Sequence, residues 1–172
     1  MSDSREILIV RHADASSEIA YEDIDRPLTE RGEAAARKLG AWMKEHVGPI
    51  DRVLSSSAAR ARQTTELLCE SIDVNTGDVS FREDLYLAEL VDLREVLMAT
   101  HCQRLLLVGH NPGLADLVTC LVMGSKVEYE DRIHLPTCAL AHLTVPSDLG
   151  GVSGGEGDLK VLVHPAALPE AV

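Results

Sequence analysis

The sequence predicts an α/β domain: a mostly parallel central sheet with helices packed on it in a three-layer arrangement. Three observations predict it. Short β-branched and aliphatic runs alternate along the whole chain with segments of helical period. The helical segments are long enough to act as the crossovers that a parallel sheet requires. The run from Arg104 to Val108 holds Leu105, Leu106 and Leu107 in succession and is the most apolar strand in the chain.

Glu6 to Val10 reads as a buried strand, because a short β-branched run gives way at once to polar residues. Ala13 to Leu28 is a polar loop that closes on Arg26-Pro27-Leu28. Thr29 has the chemistry of a helix N-cap, and Glu30 and Glu33 then fall in the first turn, where the helix dipole favours acid. Leu39, Trp42, Met43 and Val47 recur at helical spacing until Gly48-Pro49 stops the helix. Ile50 to Leu54 is the second strand. Ser55-Ser56-Ser57 opens a second helix that carries Ala61, Thr65 and Leu68 on one face and runs to about Ile72. Val79 to Phe81 is a short strand and Leu90 to Ala99 a third helix. After the Arg104–Val108 strand, Gly109-His110-Asn111-Pro112-Gly113 turns into a fourth helix, Leu114 to Met123. Ala139 to Val145 and Leu159 to Val163 are strands joined by a Gly-rich hairpin loop, Gly150 to Gly157, and the tail from Pro165 is loose at its end. No repeat and no linker divides the chain, so residues 1–172 are expected to form a single domain.

Composition narrows the function. The chain has 172 residues, of which 45% are hydrophobic and 26% charged, as in an ordinary globular protein. Aromatics make up only 3%, too few for stacking platforms on single-stranded nucleic acid. The formal net charge of -12 repels phosphate backbones and anionic lipid, which argues against nucleic-acid and membrane partners. The apolar run Ile7–Val10 is too short for a signal-peptide core, and no later run spans a bilayer. The four cysteines, Cys69, Cys102, Cys120 and Cys138, form no CxxC pair and are expected reduced and mostly buried. A cytoplasmic protein is expected, and nothing coiled-coil-like suggests more than a monomer.

In an open α/β sheet, ligands bind just beyond the carboxyl ends of the strands. His12 follows the first strand, the Ser55–Arg60 segment the second, and His110 the Arg104–Val108 strand. Three distant segments should therefore meet at one edge, bringing together His12, His110, Arg11 and Arg60. Arginine makes bidentate, charge-assisted bonds to phosphate oxygens. A neutral imidazole is a competent nucleophile. Two neighbouring cations would lower the pKa of His12 and keep it neutral. The helix N-termini after Ser57 and Asn111 would add N–H groups facing an anion. Each motif alone has a plainer reading: Arg11-His12 as a surface pair, the Gly109–Gly113 segment as a tight turn, Arg62 as part of a solvated face. Their co-occurrence, in order, at strand ends is what points to a site.

These residues resemble the histidine phosphatase superfamily, with its phosphoglycerate-mutase-like fold, and within it the small SixA-type phosphohistidine phosphatases. The resemblance covers almost the whole chain. It runs through Arg11-His12-Ala13-Asp14-Ala15, Arg26-Pro27-Leu28-Thr29-Glu30-Arg31-Gly32, and Ser56-Ser57-Ala58-Ala59-Arg60-Ala61-Arg62-Gln63-Thr64. It continues through Leu85-Tyr86-Leu87-Ala88, Val108-Gly109-His110-Asn111-Pro112-Gly113 and Leu135-Pro136-Thr137-Cys138-Ala139-Leu140-Ala141. It implies that His12 is the phosphate-accepting nucleophile, that Arg11, Arg60, His110 and Asn111 bind phosphate, and that no metal or organic cofactor takes part. Ala13 stands where the broad family has Gly, and Asp14 fits the SixA-type branch. Glu83 stands nearest the general acid of the larger enzymes, while Asp84 and Glu89 read as surface carboxylates.

An alkoxide leaving group needs a proton, whereas the imidazole of a phosphohistidine departs more readily. A site without a strong acid therefore matches N–P better than O–P cleavage. The loops 13–28 and 124–138 are too short to build a cap domain, so the pocket should be open enough for a side chain of a folded protein. The expected partner is a phosphorylated protein or, alternatively, a small phosphate ester. A non-catalytic phosphate-binding module and a metal site on His12, Asp14 and His110 are the remaining alternatives.

Overall fold

A computed structural model describes residues 4–148 and 154–168. Among these residues six strands form one sheet in the order β3-β2-β4-β1-β5-β6. They are β1 (Ser4–Arg11), β2 (Arg52–Ser56), β3 (Val79–Arg82), β4 (Arg104–Gly109), β5 (Leu140–Pro146) and β6 (Asp158–Val163). The pairs β1–β4, β2–β4 and β2–β3 are parallel, and β5 is antiparallel to both β1 and β6. The sheet is thus mostly parallel, with β5 running against the rest. Four α-helices of the described residues flank it: α1 (Glu30–His46), α2 (Ala59–Ser71), α3 (Leu90–Ala99) and α4 (Gly113–Met123). Among the described residues, no helix is long and apolar enough to cross a membrane.

The three layers follow from the two-residue period of the central strands. Ile7 and Ile9 of β1, with Leu105 and Leu107 of β4, face a core made with Leu93, Val96 and Leu97 of α3 and Leu114, Leu117 and Leu121 of α4. The alternate residues Leu8, Val10, Leu106 and Val108 face a second core made with Ala36, Leu39 and Met43 of α1 and Ala61 and Leu68 of α2. Both strands are buried on both faces, which is why they read as continuous apolar runs rather than alternating ones.

Thr29 caps α1 as expected, its hydroxyl oxygen accepting from the Gly32 N–H at 3.0 Å. A Cβ at Gly32 would lie 2.1 Å from the Asp14 carbonyl oxygen, so glycine is what lets α1 seat against the strand-one loop. Several element ends shift by one or two residues, and the largest difference falls at the β2–α2 junction. The second strand is Arg52–Ser56 rather than Ile50–Leu54, and α2 begins at Ala59 rather than at Ser55. The two serines stay extended because the sheet and helix give them partners. Ser55 Oγ accepts from Thr65 at 2.9 Å, and Ser56 Oγ accepts from the Ala58 N–H at 3.2 Å.

Part of the expected Gly-rich loop, residues 150–153, lies outside the described residues. Its second half is not a free tip. The N–H groups of Gly155 and Gly157 donate to the Cys120 and Leu121 carbonyls at 2.9 and 2.8 Å, closing the C-terminal end of α4. Pro165–Ala167 forms a 3-10 turn with Pro165 buried, and the expected loose end, 169–172, is outside the described residues.

Candidate active site

Strands β2, β4 and β1 are neighbours in the sheet, so their carboxyl ends deliver Ser56–Arg60, His110 and Arg11-His12 to one place. The backbone fixes the pair of histidines. Arg11 is in register with Gly109, and the His12 N–H donates to the Gly109 carbonyl at 3.0 Å. The two imidazole centroids are 5.2 Å apart. Arg60, in the first turn of α2, bridges them: its Nε–H donates to His12 Nε2 at 3.3 Å, and its Nη2 lies 3.4 Å from His110 Nδ1. Arg60 is 2% exposed, His110 3% and His12 9%, so all three have left bulk water.

Hydrogen-bond logic assigns the tautomers. His12 Nδ1 lies 2.7 Å from the Ala13 carbonyl oxygen, which can only accept; the ring proton is therefore on Nδ1, and Nε2 carries the free lone pair. His110 takes the other tautomer. Its Nε2–H donates to Ser56 Oγ at 2.7 Å, and Nδ1 faces the Arg60 guanidinium.

Both rings are held neutral. Burial comes first and pushes the His12 pKa down to about 4, with the Arg60, Arg11 and Arg26 charges adding to it against the raising effect of the Ala13 carbonyl. His110 is pushed to about 3, again chiefly by burial, then by His12 and Arg60. The sequence points to the neighbouring cations; the fold makes desolvation the larger cause.

A fourth segment walls the pocket. The Leu135 carbonyl accepts from Arg11 Nη1 at 3.3 Å and from Asn111 Nδ2 at 2.8 Å, while the Cys138 N–H donates to the Arg11 and His12 carbonyls. Asn111 thus braces the wall with its amide. At Gly113, where α4 starts, a Cβ would sit 2.0 Å from the Ala88 carbonyl oxygen, so the turn carrying His110 packs against backbone. Arg11 Nε and Ser57 Oγ are buried atoms with no hydrogen-bond partner among the described residues. Such donors suit an anion.

Glu83 lies in a 3-10 turn after β3, with an exposed side chain. The carboxylate that reaches the cluster is Asp23, from the loop 13–28. Its Oδ2 accepts from Arg60 Nη2 at 3.1 Å and from the Tyr86 hydroxyl at 2.5 Å, its Oδ1 from Arg26 Nε at 3.0 Å, and its main-chain carbonyl from Arg60 Nη1 at 2.5 Å. The Tyr86 ring meets His110 edge-on at 5.5 Å. Sequence reasoning missed Asp23, Tyr86, Ser56 and Arg26 as site residues. The Arg26–Thr29, Ser56–Thr64 and Leu85–Ala88 segments that carry the resemblance hold Arg26, Ser56 and Tyr86, whereas Asp23 lies in none of them.

Asp14 is taken up elsewhere. Its carboxylate accepts from the Thr29 hydroxyl at 2.7 Å and pairs with Arg31 at 3.0 Å, so the His12, Asp14, His110 metal triad does not assemble. Among the described residues, no group of three or more His, Cys, Asp or Glu is placed to hold a metal ion.

Two neutral histidines, with an unprotonated Nε2 on one of them, embedded among arginines at the carboxyl edge of a parallel sheet define a phosphoryl-handling enzyme of the histidine phosphatase kind. The sequence profile of the histidine phosphatase superfamily, branch 1, matches residues 7–90. An uncharacterized protein of Mycobacterium tuberculosis is 32% identical over 85% of this chain and 93% of its own length. The chain belongs to the histidine phosphatase superfamily and is a hydrolase of that family. It is similar to the phosphohistidine phosphatase SixA of Escherichia coli, at 29% identity over 85% of this chain and 89% of that protein. The structure of a protein histidine phosphatase SixA complexed with tungstate superposes with a TM-score of 0.78 at 25% identity, covering 94% of this chain and 97% of that one.

Proposed function

We propose that this phosphatase removes phosphoryl groups from phosphohistidine in proteins, through a phospho-His12 intermediate and without a metal. The observation that carries the reading is the commitment of His12 Nδ1 to the Ala13 carbonyl, which leaves the Nε2 lone pair directed into the arginine cluster. In the first step Nε2 attacks phosphorus in line and the P–N bond to the substrate breaks. The departing imidazole, protonated on its other ring nitrogen, leaves neutral. In the second step water attacks phosphorus, the His12–P bond breaks, inorganic phosphate leaves and the water proton passes to phosphate or solvent. Arg11, Arg60 and the Ser57 hydroxyl stabilise the equatorial oxygens, and His110, held by Ser56, shapes the pocket around them.

The acid side of the site supports N–P over O–P cleavage. Asp23, the carboxylate hydrogen-bonded to Arg60, is held down to about 2, first by the Tyr86 hydroxyl and then by Arg60 and Arg26, against its desolvation, so it is ionised and has no proton to give. The side chain of Glu83 is exposed. The named SixA relatives support the same substrate class. The second reading, a phosphatase for small monoesters on the same scaffold, needs Glu83 to swing inward as the acid; a non-catalytic phosphate-binding module needs only the pocket.

The test is phosphate release by wild type and His12→Ala, with chelator present, from a phosphohistidine-bearing carrier protein and from p-nitrophenyl phosphate. Turnover of the protein substrate well above that of the ester, lost in the variant, is expected. Fast ester turnover with an inert phosphoprotein would establish the second reading, and phosphate binding without any turnover the third.

A further inference from the structure

The Arg60 guanidinium carries five N–H donors. Four are engaged: one by His12, one by His110, and two by Asp23 through its side-chain and main-chain oxygens. One N–H, on Nη1, is left. A phosphoryl group that is to be gripped bidentately by Arg60 must therefore take at least one donor from a resident acceptor. The histidines are fixed by Ala13 and Ser56 and by their strands. The Nε–H released when phosphorus meets His12 forms its fork with Nη2, both of whose N–H groups are held by His110 and Asp23, so Asp23 is the acceptor that has to give way. Its side chain is 50% exposed, it sits in a loop, and its contact with Arg60 joins residues 37 apart in sequence. Its placement is nonetheless built, since Tyr86 and Arg26 hold the two carboxylate oxygens from opposite sides.

We infer that Asp23 is a specificity-determining residue, a resident anion on Arg60 that an incoming phosphoryl group has to displace. This rests on the phosphoryl pocket proposed above. Its consequence is selective. Inorganic phosphate and small monoesters bring little besides the phosphoryl group to offset the displacement. A phosphorylated protein brings additional surface, and the exposed Ile24 next to Asp23 and Leu87 next to Tyr86 are there to meet it. The product, once detached from its protein, faces the full competition of the Asp23 carboxylate and is expelled.

Calorimetric titration of wild type, Asp23→Asn and Tyr86→Phe with inorganic phosphate tests this. Asp23→Asn keeps the shape and removes the charge, so phosphate should bind roughly tenfold more tightly, within the usual range of a coupling between two sites. Tyr86→Phe frees one side of the Asp23 carboxylate and should fall between. In turnover, Asp23→Asn should gain on p-nitrophenyl phosphate relative to the phosphohistidine protein. A variant that had merely lost the shape of its loop would bind phosphate more weakly, the opposite sign. Equal or weaker binding by Asp23→Asn, with Tyr86→Phe also no tighter than wild type, overturns the inference alone. Phosphate binding by none of the three proteins overturns the pocket reading beneath it.

Discussion

The Nε–H of Arg60 points at Nε2 of His12 from 3.3 Å, so one cation both lowers the basicity of the imidazole and occupies its reactive lone pair. In the proposed mechanism this contact opens as phosphorus approaches, and the guanidinium then faces the group being transferred.

Replacing Arg60 by Ala should lower kcat by about 10²–10³, as for loss of a main transition-state donor. Arg60→Lys should recover little of it, because an ammonium restores the charge but not the planar fork that spans His12, His110 and the phosphoryl oxygens. Steady-state phosphate release measures both; a lysine variant near wild type would show that only charge is needed.

His12→Ala should abolish turnover while leaving inorganic phosphate binding measurable, because Arg11 and Arg60 remain. Acid-labile, base-stable phosphorylation of wild type trapped by rapid quench, absent in His12→Ala, is the accompanying signature. A trapped phosphoprotein in the variant would place the nucleophile elsewhere.

Ser56→Ala removes the acceptor of the His110 Nε2–H bond, which is 2.7 Å long and buried. A lost hydrogen bond of this kind is worth about 1 kcal/mol, so kcat/KM should fall roughly fivefold to tenfold, with Ser56→Thr closer to wild type if the hydroxyl keeps its direction. The same assay decides.

Both histidines have folded pKa values below the ordinary 6.5: about 4 for His12 and about 3 for His110. The unfolded chain therefore binds protons first as pH falls. Their contribution to stability is complete above pH 6.5 and is lost as pH drops from 6.5 through the folded values. Thermal melts should show Tm falling between pH 6.5 and pH 4, less steeply in His12→Ala. NMR of the ring protons should show neither imidazole titrating between pH 7 and pH 5.

Chelator should leave turnover unchanged, because Asp14, the carboxylate that a metal on His12 and His110 would need, is tied to Thr29 and Arg31. Loss of activity restored by a divalent ion would overturn the metal-free mechanism.

Much of this was legible in the sequence, and the reason differs by residue. The β1 and β4 strands were readable because burial on both faces writes itself as unbroken aliphatic runs. The α1 start was readable because Thr29 and the following acids satisfy a local need. His12, Arg60 and His110 could be brought together by topology alone, since strand ends in a parallel sheet share an edge. The β2 boundary was not readable: Ser55 and Ser56 lie in a strand because Thr65 and the Ala58 N–H meet them there, contacts supplied by the next helix. Asp23 and Tyr86 were invisible as a pair because 63 residues separate them and no local pattern announces their bond. The dominance of burial over charge in lowering His12 was equally out of reach, since desolvation is a property of the assembled core.

The pairing of Arg11 with Gly109 has a consequence for how such a protein can change. The separation of the two histidines is set by main-chain register, because each is the residue that follows a paired position on adjacent strands. Substitutions in the aliphatic layers or in the rim loops can accumulate without altering that separation. The spacing of the two histidines is thereby set by the backbone rather than by the side chains around them, and under the proposed function substrate preference would be rewritten in the 13–28 and 83–90 segments without disturbing it.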